Sequence, residues 1–93
     1  MQLILYSKPG CHLCEGLWEK LQQVDLPLII EMRDITTQDE WFAAYEYEVP
    51  VLFLLAPTGE QRLPRLSPRT TMKQWDKQLQ TWAKDYNISL DGT

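Results

Sequence analysis

The sequence predicts an α/β domain in the order β-α-β-α-β-β-α, with a four-stranded mixed sheet flanked by three helices. Three observations carry this. A strand pattern, a helical stripe and a second strand pattern follow one another within the first thirty or so residues. A proline-led apolar run ends in a tight-turn signal and reads as half of a hairpin. Near the C-terminal end, apolar residues recur at steps of three and four.

Leu3-Ile4-Leu5-Tyr6 is a short apolar run suited to a strand buried on both faces. Ser7-Lys8-Pro9-Gly10 breaks it with turn chemistry. A helix is predicted from about Cys11 to Val24, because Leu13, Leu17, Leu21 and Val24 recur at helical spacing with Trp18 beside them. Asp25 and Pro27 stop it, and Leu28-Ile29-Ile30 reads as the second strand. Strand, helix and strand at this spacing form a βαβ unit, with parallel strands and a right-handed crossover.

Thr37-Gln38-Asp39-Glu40 has the pattern of a capping box, so a short helix is predicted with Trp41, Ala44 and Tyr45 facing inward. Pro50 and Val51-Leu52-Phe53-Leu54-Leu55 open the third strand. Pro57-Thr58-Gly59 turns the chain, and a fourth strand over about Gln61 to Pro64 completes a hairpin. Met72, Trp75, Leu79, Trp82 and Tyr86 form one stripe of the last helix, read as core packing. Residues Asn87 to Thr93 read as a frayed tail. No repeat or linker interrupts the chain, so a single domain over 1–93 is expected.

Composition narrows the function. The 93 residues are 44% hydrophobic, as expected of a packed globule. Nine basic against thirteen acidic residues give a net charge of −4, which argues against nucleic acid as a partner, although Arg62, Arg65 and Arg69 form a candidate local patch. No apolar run has the length of a membrane span, and the first residues lack the pattern of a signal peptide. A cytoplasmic monomer, in a compartment that keeps thiols reduced, is the expectation.

The two cysteines lie in one Cys11-His12-Leu13-Cys14 motif. A bridge between them closes too small a loop to stabilise the fold much, so a structural staple is the weaker reading. At the opening of a helix after a strand and turn, Cys11 faces unpaired amides and the positive end of the helix dipole, which favour its thiolate. Lys8 and a protonated His12 add positive charge, and Glu15 opposes it. Cys14, one turn deeper, is placed to resolve a mixed disulfide formed at Cys11. His12 is read first as a solvent-facing residue that tunes the thiols and second as a proton shuttle. The competing readings of the motif are inert packing, or half of a zinc site that two cysteines and one histidine do not complete. Val49-Pro50 is the second signal. A proline before a buried apolar strand is often only a trans, strand-opening residue. Beside a Cys-x-x-Cys in this order of elements a cis bond is expected, which would turn the Val49 backbone towards Cys11 and offer strand-like hydrogen bonds to a peptide or to glutathione.

Tyr6-Ser7-Lys8-Pro9-Gly10-Cys11-His12-Leu13-Cys14 resembles the active-site segment of glutaredoxins, which usually read Tyr-Ser-Lys-x-x-Cys-Pro-Tyr-Cys, and Glu48-Val49-Pro50-Val51 resembles their Thr-Val-Pro segment. The resemblance spans most of the chain. It implies a thioredoxin fold, reduction of protein disulfides or glutathione mixed disulfides, Cys11 as nucleophile, a cis Pro50, and Lys8, Val49 and Pro50 in contact with glutathione. It implies no bound cofactor, with glutathione as a possible reductant and a thioredoxin or glutathione reductase system as partner. Three departures mark a divergent glutaredoxin-like family. His12 stands where a proline is usual. The diglycine and acidic segment that holds the glutamyl end of glutathione is replaced by Leu63-Pro64-Arg65-Leu66-Ser67-Pro68-Arg69, in which Arg65 or Arg69 is a candidate carboxylate ligand. Trp41, Phe42, Tyr45 and Tyr47 crowd the approach to Pro50, although packing is the safer reading of them. Beside the dithiol oxidoreductase stand two alternatives: a binding module with vestigial or regulatory cysteines, and an iron–sulfur carrier built as a glutathione-bridged dimer. The latter usually has a monothiol Cys-Gly-Phe-Ser motif instead.

Overall fold

A computed structural model describes residues 1–90. The elements are β1 (Gln2–Ser7), α1 (His12–Gln23), β2 (Ile29–Asp34), a single 3₁₀ turn (Ile35–Thr37), α2 (Asp39–Tyr45), β3 (Val51–Ala56), β4 (Gly59–Arg62) and α3 (Met72–Asp85). The strands form one mixed sheet in the order β2-β1-β3-β4. β1 runs parallel to β2 from Gln2↔Ile29 to Ser7↔Asp34, and antiparallel to β3, with Leu5 opposite Leu52. This is the α/β architecture of four strands and three helices that the sequence predicts.

Alternation along β1 divides the core between the two faces of the sheet. Leu3 and Leu5 join Leu21, Val24, Leu52, Leu54, Leu63, Trp75, Leu79 and Trp82 under α1 and α3. Ile4 and Tyr6 face the other way, onto Ile35 and Val51, with Trp41, Tyr45 and Phe53 packed around them under α2. Each fully buried leucine of the first face contributes about 1.5–3 kcal/mol. On the second face, Arg33 lies over the rings of Tyr6 and Trp41 and donates to the Tyr6 hydroxyl at 2.8 Å.

Several boundaries depart from the expectation. β2 is twice as long as its apolar run, because pairing with β1 satisfies its backbone whatever the side chains, and Glu31 and Met32 stand exposed on this edge strand. Asp34 then claims the threonines that follow. Its carboxylate accepts from the Thr36 amide and hydroxyl, and its carbonyl accepts from the Thr37 hydroxyl. The capping box expected at Thr37 and Glu40 therefore does not form, and α2 starts after Gln38 with no side-chain cap. Within α2, Trp41 and Tyr45 face inward, but Ala44 is exposed.

β4 starts earlier than expected, since Gly59 (φ +116°) closes a two-residue turn and pairs with Ala56. Leu63 still donates its amide to Leu52. On α3, Trp75, Leu79 and Trp82 are buried as expected, whereas Met72 is 40% exposed because it opens the helix, beyond the edge of the core. Asn87 and Ile88 are not frayed. Asn87 takes a left-handed conformation, its amide donates to Lys84, and the Ile88 amide donates to Ala83, which closes α3 in a Schellman motif with Ile88 packed on the core. Of the expected tail, residues 91–93 lie outside the described residues.

Candidate functional site

The site is assembled where β1 ends and β3 begins, neighbouring strands that run in opposite directions and so bring those two ends together. After Ser7 the chain turns through Lys8-Pro9-Gly10. Gly10 has φ +79°, a conformation that costs glycine nothing, and the turn is closed by the Cys11 amide on the Lys8 carbonyl at 3.3 Å. Cys11 is the N-cap of α1, with extended backbone angles, and its carbonyl accepts the first helical bond from Glu15. Its Sγ accepts a hydrogen bond from the Cys14 amide at 3.2 Å. Cys14 lies on the inner side of the first turn, 2% exposed, and is disulfide-bonded to Cys11 with the Cα atoms 5.2 Å apart. An amide aimed at Sγ, at the positive end of a helix, favours negative charge on the Cys11 sulfur once the bond is reduced.

The other predicted site residues take different places. His12 lines a groove beside α1, but its ring is 96% exposed and its Nδ1 lies 3.7 Å from a Glu15 carboxylate oxygen, the position of a solvent-facing residue. Lys8 does not extend freely into solvent. Its Nζ donates to the Glu46 carbonyl at 3.0 Å and ties the turn before α1 to the loop after α2. The Val49–Pro50 peptide is cis. Contrary to the expectation of a free strand-like edge at Val49, its amide donates to the Tyr45 carbonyl at 3.1 Å, because the end of α2 captures it. Of the aromatic residues thought to crowd Pro50, Trp41 and Tyr45 pack against Tyr6, while Phe42 is exposed and Tyr47 is 91% exposed.

The segment standing where a diglycine is expected does something else. Arg65 donates to the carbonyls of Glu48 and of Pro50, the latter at 3.1 Å, so it braces the loop around Pro50. Arg62 pairs with the Glu48 carboxylate at 3.1 Å. From the opposite wall, Lys20 of α1 donates to the carbonyls of Pro68 and Thr70 and holds the segment against the helix. No sequence signal distinguished Lys20, since a lysine in the middle of a helix is ordinary.

Between these walls runs a groove of about 630 Å³, with Leu13, Leu17, Pro50, Leu66 and Trp75 among its lining. Leu13, expected on the core stripe of α1, is 52% exposed at this groove. On the other side of α1, a smaller pocket of about 340 Å³ is lined by Cys14, Trp18, Met32 and Asp34. Among the described residues, no three His, Cys, Asp or Glu side chains group as metal ligands. Likewise, no helix among them is long and apolar enough to cross a membrane.

Two of the solved structures similar to this chain illustrate the likeness. One is a structural-genomics target protein, XcR50, from X. campestris, with 28% identity and a TM-score of 0.60 over 85% of this chain and 96% of that one. The other is thioredoxin 1 from Thermosipho africanus, with 18% identity and a TM-score of 0.64 over 94% of this chain and 99% of that one, a likeness of fold. No curated protein matches the sequence. The glutaredoxin-like domain family (DUF836) matches residues 2–87, which take in the Cys11–Cys14 pair, the cis Pro50 and every element of the sheet. The chain has a thioredoxin fold and belongs to this glutaredoxin-like family.

Proposed function

We propose that the protein is a thiol–disulfide oxidoreductase that reduces protein disulfides or glutathione mixed disulfides through Cys11 and Cys14. The observation that carries this reading is the Cys14 amide directed at the Cys11 Sγ at the N-cap of α1, with Cys14 bonded to that same sulfur. In the reduced protein the Cys11 thiolate attacks one sulfur of the substrate disulfide. The other substrate sulfur leaves as a thiolate and takes up a proton. Cys14 then loses its proton and attacks the Cys11 sulfur, so that the second substrate thiol is released and the two electrons given up by the protein leave Cys11–Cys14 oxidised. A cellular thiol such as glutathione, or a reductase of the thioredoxin or glutathione systems, returns two electrons and two protons. No resident cofactor takes part, and the chemistry suits a reducing compartment such as the cytoplasm. Lys8 and Pro50 frame the approach of the substrate, with the Val49 carbonyl rather than its amide as the backbone contact. His12 acts on the thiols through its charge when protonated.

A disulfide reductase assay tests the assignment. Cys11→Ser is expected to abolish turnover, and Cys14→Ser to retain only a monothiol path on mixed disulfides. Unchanged turnover in Cys11→Ser ends the proposal. A binding module is the second reading, favoured by the exposed Leu13, Phe42 and Tyr47. The thiolate absorbance of reduced protein separates the two: under the enzyme reading Cys11 titrates below the value of about 8.5 for a free cysteine, and under the other it titrates there.

A further inference from the structure

We propose that the groove beside Pro50 receives an extended segment of a substrate protein, apolar at its centre and carrying a carboxylate, in preference to glutathione. This rests on the oxidoreductase reading and names its substrate class. The floor of the groove is apolar, with Leu17, Leu66 and Trp75 in it and the half-exposed Leu13 at its rim, one residue from Cys14. Covering that surface with an apolar side chain releases water and drives association.

Charge supplies the second requirement. Lys20, Arg62 and Arg65 line the groove and, among the described residues, no carboxylate does, in a chain whose net charge is −4. Arg62 is matched by Glu48, but among the described residues Lys20 and Arg65 bond to backbone carbonyls and to no acid. A concave wall with uncompensated cations attracts an anion.

Glutathione fits less well, because it has two carboxylates and no apolar side chain, and its small skeleton depends on backbone donors. These are scarce. Pro64 and Pro68 have no N–H, and the amides of Leu63, Arg69 and Thr70 are donated to Leu52, to the Ser67 hydroxyl and to the Ser67 carbonyl. The Val49 amide is held by Tyr45.

The test uses the reduced full chain and four probes, each a thiol joined by a disulfide to the same chromogenic nitrothiobenzoate group. Three are blocked peptides with one cysteine flanked by Leu and Asp, by Leu and Lys, or by Ser and Asp; the fourth is glutathione. The Leu–Asp peptide is expected to react fastest. Its advantage over Leu–Lys is about fivefold at low salt and shrinks as salt is added. Its advantage over Ser–Asp is about tenfold or more. Ser67→Asp keeps an acceptor for the Arg69 amide while adding an anion to the groove, and is expected to erase the preference for the acidic peptide. Ser67→Asn, with the same acceptor and no charge, is expected to keep it. Equal rates for all probes, fastest reaction of the glutathione probe, or an unchanged preference in Ser67→Asp overturns the proposal while Cys11-dependent release persists. Release that persists undiminished in Cys11→Ser instead overturns the oxidoreductase reading beneath it.

Discussion

A sulfur that accepts an amide hydrogen at a helix N-cap does what the side-chain oxygen of serine or aspartate does there, with weaker hydrogen bonding and a proton that is easier to lose. Cys11 and Asp34 are the two such caps at this end of the sheet, one opening α1 and the other opening the 3₁₀ turn after β2. At Asp34 the consequence is electrostatic. The Thr36 hydroxyl, and then its amide, hold the carboxyl below its usual value of 3.8. A depressed folded value means that the unfolded chain takes up a proton first as pH falls. The contribution is therefore complete above the unfolded value and is lost as pH drops from about 4 through the folded value. Asp34→Asn should flatten this part of the profile, so the difference in Tm between wild type and variant narrows between about pH 5 and 2. A difference that stays constant across that range would contradict the assignment. Of the individual residues, the cysteine pair and the turn before it were legible in the sequence because their meaning is local. The partner of Lys8 was not, because a carbonyl 38 residues away leaves no trace near the lysine.

At the scale of elements, the two ends of α3 explain why it forms where it does. Thr71 accepts from the Gln74 amide at 3.1 Å, and the Gln74 side chain accepts from the Thr71 amide at 2.9 Å, a reciprocal capping box. At the other end the left-handed Asn87 turns the chain so that Ile88 covers the core. Thr71→Ala is expected to lower stability by about 1 kcal/mol, read as a lower denaturation midpoint with an unchanged slope, and Thr71→Ser to restore most of it. The same four-residue pattern occurs at Thr37 to Glu40 and forms no box there. Which copy is used depends on the preceding strand: β2 stays paired with β1 as far as Asp34, and that carboxylate takes up the chain before a helix can start. Strong periodicity, as in Trp75, Leu79 and Trp82, was readable because burial repeats along one element. The length of β2 was not, since an edge strand is held by backbone pairing that its polar residues do not advertise.

Over the whole molecule, the loop from Glu46 to Pro50 joins the two halves of the site, and long cationic side chains brace it from both sides. Lys8 reaches it from the turn before α1, and Arg65 from the segment after β4. Three carbonyls of one loop are thereby satisfied by charged donors from segments distant in sequence, where a sheet or helix would have used its own amides. The resemblance to glutaredoxins drew attention to Arg65 as a carboxylate ligand. The folded chain uses its guanidinium first as a brace, because one nitrogen, Nη2, donates to two carbonyls of the loop at once. Arg65→Ala should therefore leave the sheet intact and loosen the loop. Stability is expected to fall by about 1 kcal/mol, amide exchange to rise at Val49 more than at Leu54, and KM for a disulfide-bearing protein to rise severalfold with a smaller change in kcat. Arg65→Lys keeps a nitrogen able to serve two carbonyls, as Lys20 does at Pro68 and Thr70, so it should recover part of the exchange protection at Val49 that Arg65→Ala loses. An Arg65→Ala variant in which Val49 exchanges as slowly as in the wild type would mean that bracing the loop around Pro50 is not the role of this side chain.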